Sequence, residues 1–379
     1  MNNFFDNAAT TRTDEKVLKE MLPFFCEEYG NPSSVYKLGR NARKAVEEAR
    51  ESLAKAINAN PSEIYFTAGG SESDNLAIKG IAHANKMKGN HIITSKIEHH
   101  AVLETCETLE KEGFEVTYIG VDETGILDLN ELKSAIRDTT ILITIMFANN
   151  EVGTIQPIEE IGRIAKEHNI IFHTDAVQAV GSIKIDVQKQ NIDSLSMSGH
   201  KFYGPKGIGA LYVKNGIKFN KIINGGHQEK NKRAGTENVP GIVGIGKAIE
   251  LAYENLEENN NKIRTLRDYY LEEVKKKIPN IRINGSLEKR LPGNINISFR
   301  GVEGDGLLFN LDLNGICAST GSACASGSLE PSHVLTAMGL KEEDTSSALR
   351  ITIGKNNTKE EIDYLVENLE KIVKKLRAL

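Results

Sequence analysis

Between about residue 60 and residue 215 the chain keeps one rhythm, and that rhythm limits its fold more than any other feature. The runs "EIYFTA", "HIITS", "EVTYIG", "ILITIMFA", "IIFHTDA", "DSLSMS" and "GALYV" are rich in β-branched and aromatic residues. Helical or loop segments separate them. Strands alternating with helices predict an α/β domain with a mostly parallel sheet. With 379 residues the chain exceeds one ordinary core, so a second, smaller domain is expected. After Pro240 a long helical stretch, broken or bent, leads toward it. A strand at "NINISF", a helix near "DGLLFNLD", then "GICAS" and a strand at "ALRITI" give that part an α+β character. Thr358 and Glu361 fit a capping box, and Ile362, Leu365, Val366, Leu369, Ile372, Val373 and Leu376 follow helical spacing behind it. The N-terminal segment is expected to pack on this second part.

Composition narrows the class. Hydrophobic residues at 39% and charged residues at 26% describe a soluble globular protein. A net charge of -5 offers no sign of a nucleic-acid partner. Basic residues gather at Lys230, Lys232 and Arg233, and again at Lys374, Lys375 and Arg377, where a solvated face suffices. The start "MNNFFDNAATT" has no cationic region and carries Asp6. The longest apolar run, Ile141 to Phe147, has strand length and is far short of a bilayer. The four cysteines, Cys26, Cys106, Cys317 and Cys324, form no C-x-x-C pair, so neither zinc nor a disulfide framework is indicated. A cytoplasmic protein with reduced thiols and no membrane contact is the expectation.

Several stretches carry chemistry, each with a plainer alternative. In "YFTAGGSESDNLAIKG" a strand ends, Gly69 and Gly70 follow, and a helix begins near Ser71. Backbone amides there suit an anion, and an ordinary turn capped by Ser71 explains the residues equally well. Asp175 and Gln178 in "IIFHTDAVQAVG" have the spacing of a capping pair, and also of two side chains reaching one planar ligand at a strand end. His99 and His100 point apart on an extended chain, which argues against a shared metal; a structural or solvent-exposed pair is the plainer reading, and ring stacking or proton transfer the functional one. Asn149, Asn150 and Glu151 sit at a strand end as turn formers or ligand-orienting groups. In "SMSGHKFYGPKGIG", Ser198 and His200 flank Lys201 with hydrogen-bonding groups. A lysine in a partly dry pocket has a lowered pKa and can form a Schiff base. Arg350 in "ALRITIG" suits a carboxylate or a strand-edge ion pair. Cys324 differs from these: the Ser-, Ala- and Gly-rich run "CASTGSACASGSLEPSH" offers no packed core, so a reactive thiol is the better reading.

An anion cradle, an Asp-Gln pair, a His, a Schiff-base lysine and a loop cysteine form one chemical set. In order and spelling, "FDNAATT", "YGNPSS", "EHHAVLE", "NNEVG", "DAVQ", "SGHKFYGPKG", "RAGTEN", "GSACASGSLEPSHVL" and "LRITIG" resemble the cysteine desulfurases of the NifS/IscS type, within the class-V aminotransferases. The resemblance spans nearly the whole chain. It implies a type I fold dependent on pyridoxal 5′-phosphate, with a seven-stranded, mostly parallel sheet. The large domain would cover residues 14–255. The small α+β domain would take 1–13 and 256–379 and carry the cysteine loop. It further implies a homodimer that converts L-cysteine to L-alanine and passes sulfur to an iron-sulfur scaffold or another acceptor.

By the same resemblance, Lys201 would hold the cofactor, Asp175 would pair with the ring nitrogen, and Gln178 and Asn150 would sit near the ring hydroxyl. His99 would stack on the ring and shuttle protons. Gly70, Ser71, Ser198 and His200 would bind the phosphate, with Thr236 reaching the phosphate of the partner subunit and the basic run near Arg233 placed at the interface. Arg350, Asn31 and Asn150 would meet the substrate, and Cys324 would receive the sulfur or transiently ligate an iron-sulfur group. The Gly-Gly-Ser of the phosphate loop departs from the Ala-Thr of many relatives, and Ser71 keeps the hydroxyl. "RAGTENVP" and the extended cysteine segment match the long-loop desulfurases. A selenocysteine lyase or another class-V enzyme is the nearest alternative. A sulfur-relay scaffold without turnover and a cofactor-free thiol hydrolase are more distant ones.

Overall fold

The computed structural model describes residues 3–320 and 331–378. A short strand, β1 (Asn3–Phe4), opens the chain. The alternation seen in the sequence becomes β2 (Ile64–Thr67), β3 (His91–Ser95), β4 (Glu115–Ile119), β5 (Thr140–Thr144), β6 (Ile171–Asp175), β7 (Ser194–Ser198) and β8 (Gly209–Val213). They form one seven-stranded sheet in the order β2-β8-β7-β6-β5-β3-β4. From β4 across to β7 every pairing is parallel. β8 is antiparallel to both β7 and β2. Six strands therefore end on one edge, and β8 runs the other way.

Alternate residues of each strand feed two cores, as the period of two requires. Ile93, Ile143, Phe172 and Leu195 enter one core, and Ile92, Leu142 and Leu211 enter the other. The first is covered by α1 (Lys37–Ala56), which contributes Val46 and Leu53. The second lies under α2 (Gly70–Asn85) and α3 (His100–Lys111), through Leu76, Ile81, Val102 and Leu109. α4 (Ile158–Glu167) and α5 (Val239–Glu254) complete the first face with Ile161, Ile164, Ile242 and Ile245. The long helical stretch breaks at Asn255, whose backbone (φ -114, ψ 19) leaves the helical region, and continues as α6 (Leu256–Lys277).

The remaining chain builds a second layer. β9 (Ile281–Asn284) and β10 (Asn294–Phe299) precede α7 (Gly304–Leu313) and β11 (Ile316–Cys317). β12 (Ala348–Thr352) and α8 (Lys359–Leu376) follow. The sheet order is β12-β10-β9, and β11 pairs in parallel with β1. Phe5, Tyr270, Ile297, Phe299, Leu307, Ile351 and Leu365 share its core. α8 begins with the capping box read in the sequence: the Glu361 amide donates to Thr358 Oγ1 at 3.3 Å and the Thr358 amide to Glu361 Oε2 at 3.1 Å. Ile97, Met146 and Val152 from the first layer pack with Val334, Leu335 and Met338 from the second.

The N-terminal segment stitches the two layers. Asn7 Nδ2 donates to the Thr352 carbonyl at 2.8 Å, and the Thr11 amide donates to the His200 carbonyl at 2.9 Å. Among the described residues no helix is long and apolar enough to cross a membrane. Phe172, fully buried at the centre of the sheet, sets the scale of the packing. Phe172→Ala should lower unfolding stability by about 3–5 kcal/mol, read as a shift in the denaturant midpoint.

Candidate active site

The chemistry-bearing residues come off the carboxyl edge of the sheet. Strand order reverses between β3 and β5, and open α/β sheets hold ligands beyond such a point. β2 leads to Gly69 and Gly70. Gly69, not Ser71, is the N-cap of α2, and no side chain caps the helix. Its first amides are left to a cleft of about 520 Å³ lined by Ala9, Thr10, Gly70, Ser71, Ser198 and His200. A Cβ at Gly70 would meet Val177 Cγ2 at 2.8 Å, so the close approach of helix start to the β6 turn requires glycine.

β7 leads into the turn Gly199–Lys201. The connection to β8 is tight: the Gly204 amide donates to the Gly199 carbonyl at 2.9 Å, and a Cβ at Gly204 would sit 2.8 Å from that oxygen. This accounts for Gly204 after the lysine. Half-buried Lys201 donates from Nζ to the carbonyls of Ala8 at 2.5 Å and Ala9 at 2.9 Å. Gln178 Nε2 donates to the same Ala8 carbonyl at 3.0 Å. His200 Nδ1 lies 3.1 Å from Thr10 Oγ1, and burial, reinforced by the charges of Lys201 and Lys206, lowers its pKa to about 4. Its imidazole is neutral at pH 7.

Asp175 ends β6 and is 7% exposed. Its Oδ1 accepts the Val177 amide at 2.9 Å. A turn follows rather than a helix, so Asp175 and Gln178 do not form a capping pair. Burial pushes the Asp175 carboxyl up, while the charges of His99 and Lys201 pull it down. His99 caps α3: its Nδ1 accepts the Ala101 amide at 3.1 Å, which leaves the proton of the neutral ring on Nε2. Burial lowers its pKa, Asp175 opposing that shift and Lys201 adding to it. The His100 and His333 rings meet edge to face at 4.8 Å.

Asn149 is a turn former. Its Oδ1 accepts the amides of Glu151 and Val152, and its Nδ2 donates to the Ile97 carbonyl. Asn150, beside it, is half-buried and offers its carbonyl to Arg350 Nη1 at 3.2 Å. Arg350 is 1% exposed and pairs with Asp6 through Nη2 at 2.8 Å. Its Nε is buried without a partner among the described residues. Ser198 is buried at the end of β7. Asn31 and Thr236 stand on exposed loops, and neither lines the cleft among the described residues. Asn31 turns its side chain to the Ser33 amide at 2.9 Å. Cys324 lies outside the described residues.

A profile of the class-V aminotransferases matches residues 3–365. The chain belongs to the class-V aminotransferase family. It is 58% identical over 378 residues to a cysteine desulfurase IscS of Clostridium botulinum, covering 99% of this chain and 95% of that one. A solved NifS-like protein superposes with a TM-score of 0.94 at 41% identity, covering 99% and 100% of the two chains. SspA, solved in complex with cysteine, superposes with a TM-score of 0.85 at 40% identity, covering 94% of this chain and 100% of SspA. Class-V aminotransferases work with pyridoxal 5′-phosphate, and it is the cofactor of this chain.

Sequence reasoning missed a buried polar layer beneath Asp175 in this class-V aminotransferase. Asp74, one turn into α2 from Gly70, is 1% exposed and has an Oδ1 without a hydrogen-bond partner among the described residues. Burial and then the charge of Asp175 raise its pKa well above the carboxylate range. His173 is held between Thr144 Oγ1 at 2.8 Å and Ser196 Oγ at 3.0 Å, and burial lowers its pKa to about 3. Glu98 accepts Ser95 Oγ and the Met146 amide on Oε1, its Oε2 is buried without a partner among the described residues, and burial raises its pKa to about 8. The "ESDN" after the glycines was the available signal for Asp74, four residues beyond Gly70 and so on the same face of the helix.

Glu98 gives the site a pH signature. The folded chain keeps a proton on it between its ordinary value of 4.5 and about 8, where the unfolded chain does not. Stability should therefore fall as pH rises through that window. Glu98→Gln should remove this component, so the unfolding free energy of wild type minus that of the variant should fall steadily from about pH 5 to about pH 8.5, turning in the variant's favour. Parallel pH profiles for the two proteins would disprove the assignment.

Proposed function

We propose that this chain is a pyridoxal-phosphate-dependent cysteine desulfurase that converts L-cysteine to L-alanine and leaves the sulfur as a persulfide on Cys324. Relatives named cysteine desulfurase at 58% identity and a neighbour solved with cysteine support the activity. The observation that carries it is the convergence of Lys201, Asp175, His99 and an uncapped helix start on one sheet edge.

These residues fit the cofactor. The α2 amides, Gly70, Ser71, Ser198 and neutral His200 suit a phosphate dianion. The Asp175 carboxylate suits a protonated ring nitrogen, and the amine of Lys201 suits the aldehyde carbon. His99 would stack on the ring, and Gln178 and Asn150 would sit near its hydroxyl. The bound cofactor supplies an electron sink that loosens the Cα–H bond of the substrate and weakens its C–S bond.

The chain's own groups do the rest. Arg350, with Asn150 and Asn31, holds the substrate carboxylate. Lys201 Nζ takes the Cα proton and returns protons to the substrate carbon skeleton. Asp175 keeps negative charge against the ring nitrogen throughout. The Cys324 thiolate attacks the substrate sulfur: an S–S bond forms, the C–S bond breaks, and its electron pair stays on carbon. A proton delivered through His99 Nε2 then completes the methyl group of alanine. No external oxidant or reductant enters. The protein acts in the cytoplasm as a homodimer in which Thr236 serves the partner's phosphate, and it hands sulfur to an iron-sulfur scaffold or another acceptor protein.

Two variants test the assignment. Cys324→Ala should retain the absorbance of bound cofactor and form no persulfide with cysteine, by mass spectrometry of the intact chain. Normal alanine production in that variant would sink the nucleophile. Lys201→Ala should give no covalent cofactor adduct on borohydride reduction, whereas a normal adduct would exclude Lys201.

A further inference from the structure

Two carboxylates hold the backbone that leads into the phosphate cleft, and the loop between Gly225 and Glu237 governs both. β2 is an edge strand, so its outward amides and carbonyls have no neighbouring strand. Glu229 Oε2 accepts the Phe66 amide at 2.8 Å, and Arg50 Nη1 donates to the Ile64 carbonyl at 2.8 Å. Arg50 and Glu229, both buried, are joined by two hydrogen bonds of 2.9 and 2.8 Å. Next along the chain, Glu72 Oε2 accepts the Ala68 amide at 3.0 Å.

The loop turns sharply between these pairs. Glu229, Lys230 and Asn231 take consecutive left-handed conformations, with φ of 44, 56 and 63. Such a run of non-glycine residues persists only where the surroundings hold it. It brings Arg233 back to Glu72, with Nε to Oε1 at 2.8 Å and Nη2 to Oε2 at 3.3 Å. Both partners are mostly buried, at 23% and 16% side-chain exposure.

Glu72 lines the same cleft as Gly70, Ser71, Ser198 and His200. A bare carboxylate there would repel a phosphate dianion through a poorly screened medium. Paired with a fixed guanidinium, it anchors the Ala68 amide without that repulsion. We propose that Arg233 is a positioning residue for the cofactor phosphate, acting by neutralising Glu72 at the mouth of the cleft. The inference rests on the reading of the cleft given above. It assigns Arg233 a task within its own chain, where the sequence resemblance implied one at the subunit interface.

The test is equilibrium dialysis of the full-length apoprotein against pyridoxal phosphate and against pyridoxal, which lacks the phosphate. Arg233→Gln should weaken pyridoxal phosphate about tenfold or more, and pyridoxal by less than about twofold, because only the former carries the repelled charge. Arg233→Lys, which keeps the charge, should stay within about threefold of wild type. Adding Glu72→Gln to Arg233→Gln should restore pyridoxal phosphate binding to within about threefold, since glutamine still accepts the Ala68 amide. Equal weakening of both ligands, or a double variant no tighter than Arg233→Gln, overturns the inference. A wild-type apoprotein with no preference for the phosphorylated ligand overturns the cleft reading itself, and this inference with it.

Discussion

The direction of six strands governs everything else in this molecule. β2, β3, β5, β6 and β7 all deliver their last residues to one edge, so Gly70, His99, Asn150, Asp175 and Lys201 meet although they span more than a hundred residues. None of these groups is unusual by itself. The parallel pairing makes neighbours of them, and the strand reversal between β3 and β5 keeps helices from filling the space beyond. The antiparallel return of β8 adds a tight turn after Lys201, which fixes where the lysine emerges.

The strands were legible because seven apolar, β-branched runs recur at intervals too short for separate domains. The capping box at Thr358 was legible because it is local. Other features escaped for the opposite reason. Ser71 reads as a cap, yet Gly69 occupies that position because the close approach at Gly70 draws the helix back to it. Asp175 and Gln178 read as a capping pair, yet Gln178 turns to the carbonyl of Ala8, whose distance along the chain no spacing rule reveals. Arg350 offered two readings. The structure gives it Asp6 as partner, and its Nε has none among the described residues. The alignment of motifs with a family supplied roles that spacing alone did not, and for Cys324 the sequence remains the only witness.

Beneath Asp175 the protein keeps its acids quiet. Asp74, Glu98 and His173 are groups whose charged forms burial disfavours, and two hydroxyls bond the His173 ring. Asp175 differs in facing His99 and Lys201, two groups that favour its charge. Of these buried carboxyls, Asp175 is the one whose negative charge neighbouring groups favour. Hydroxyls from Ser95, Thr144 and Ser196 satisfy this layer's polar atoms without adding charge of their own.

The seam made by the first dozen residues has a consequence for how the molecule is born. Asn7 bonds to Thr352 across 345 positions, Asp6 holds Arg350 across 344, and the Ala8 carbonyl that receives Lys201 belongs to the same stretch. A ribosome must release β12 before that stretch can find its partners, so the earliest residues made are among the last to settle. Until then the lysine edge lacks its closing wall, and a nascent chain has a finished sheet and an unfinished pocket.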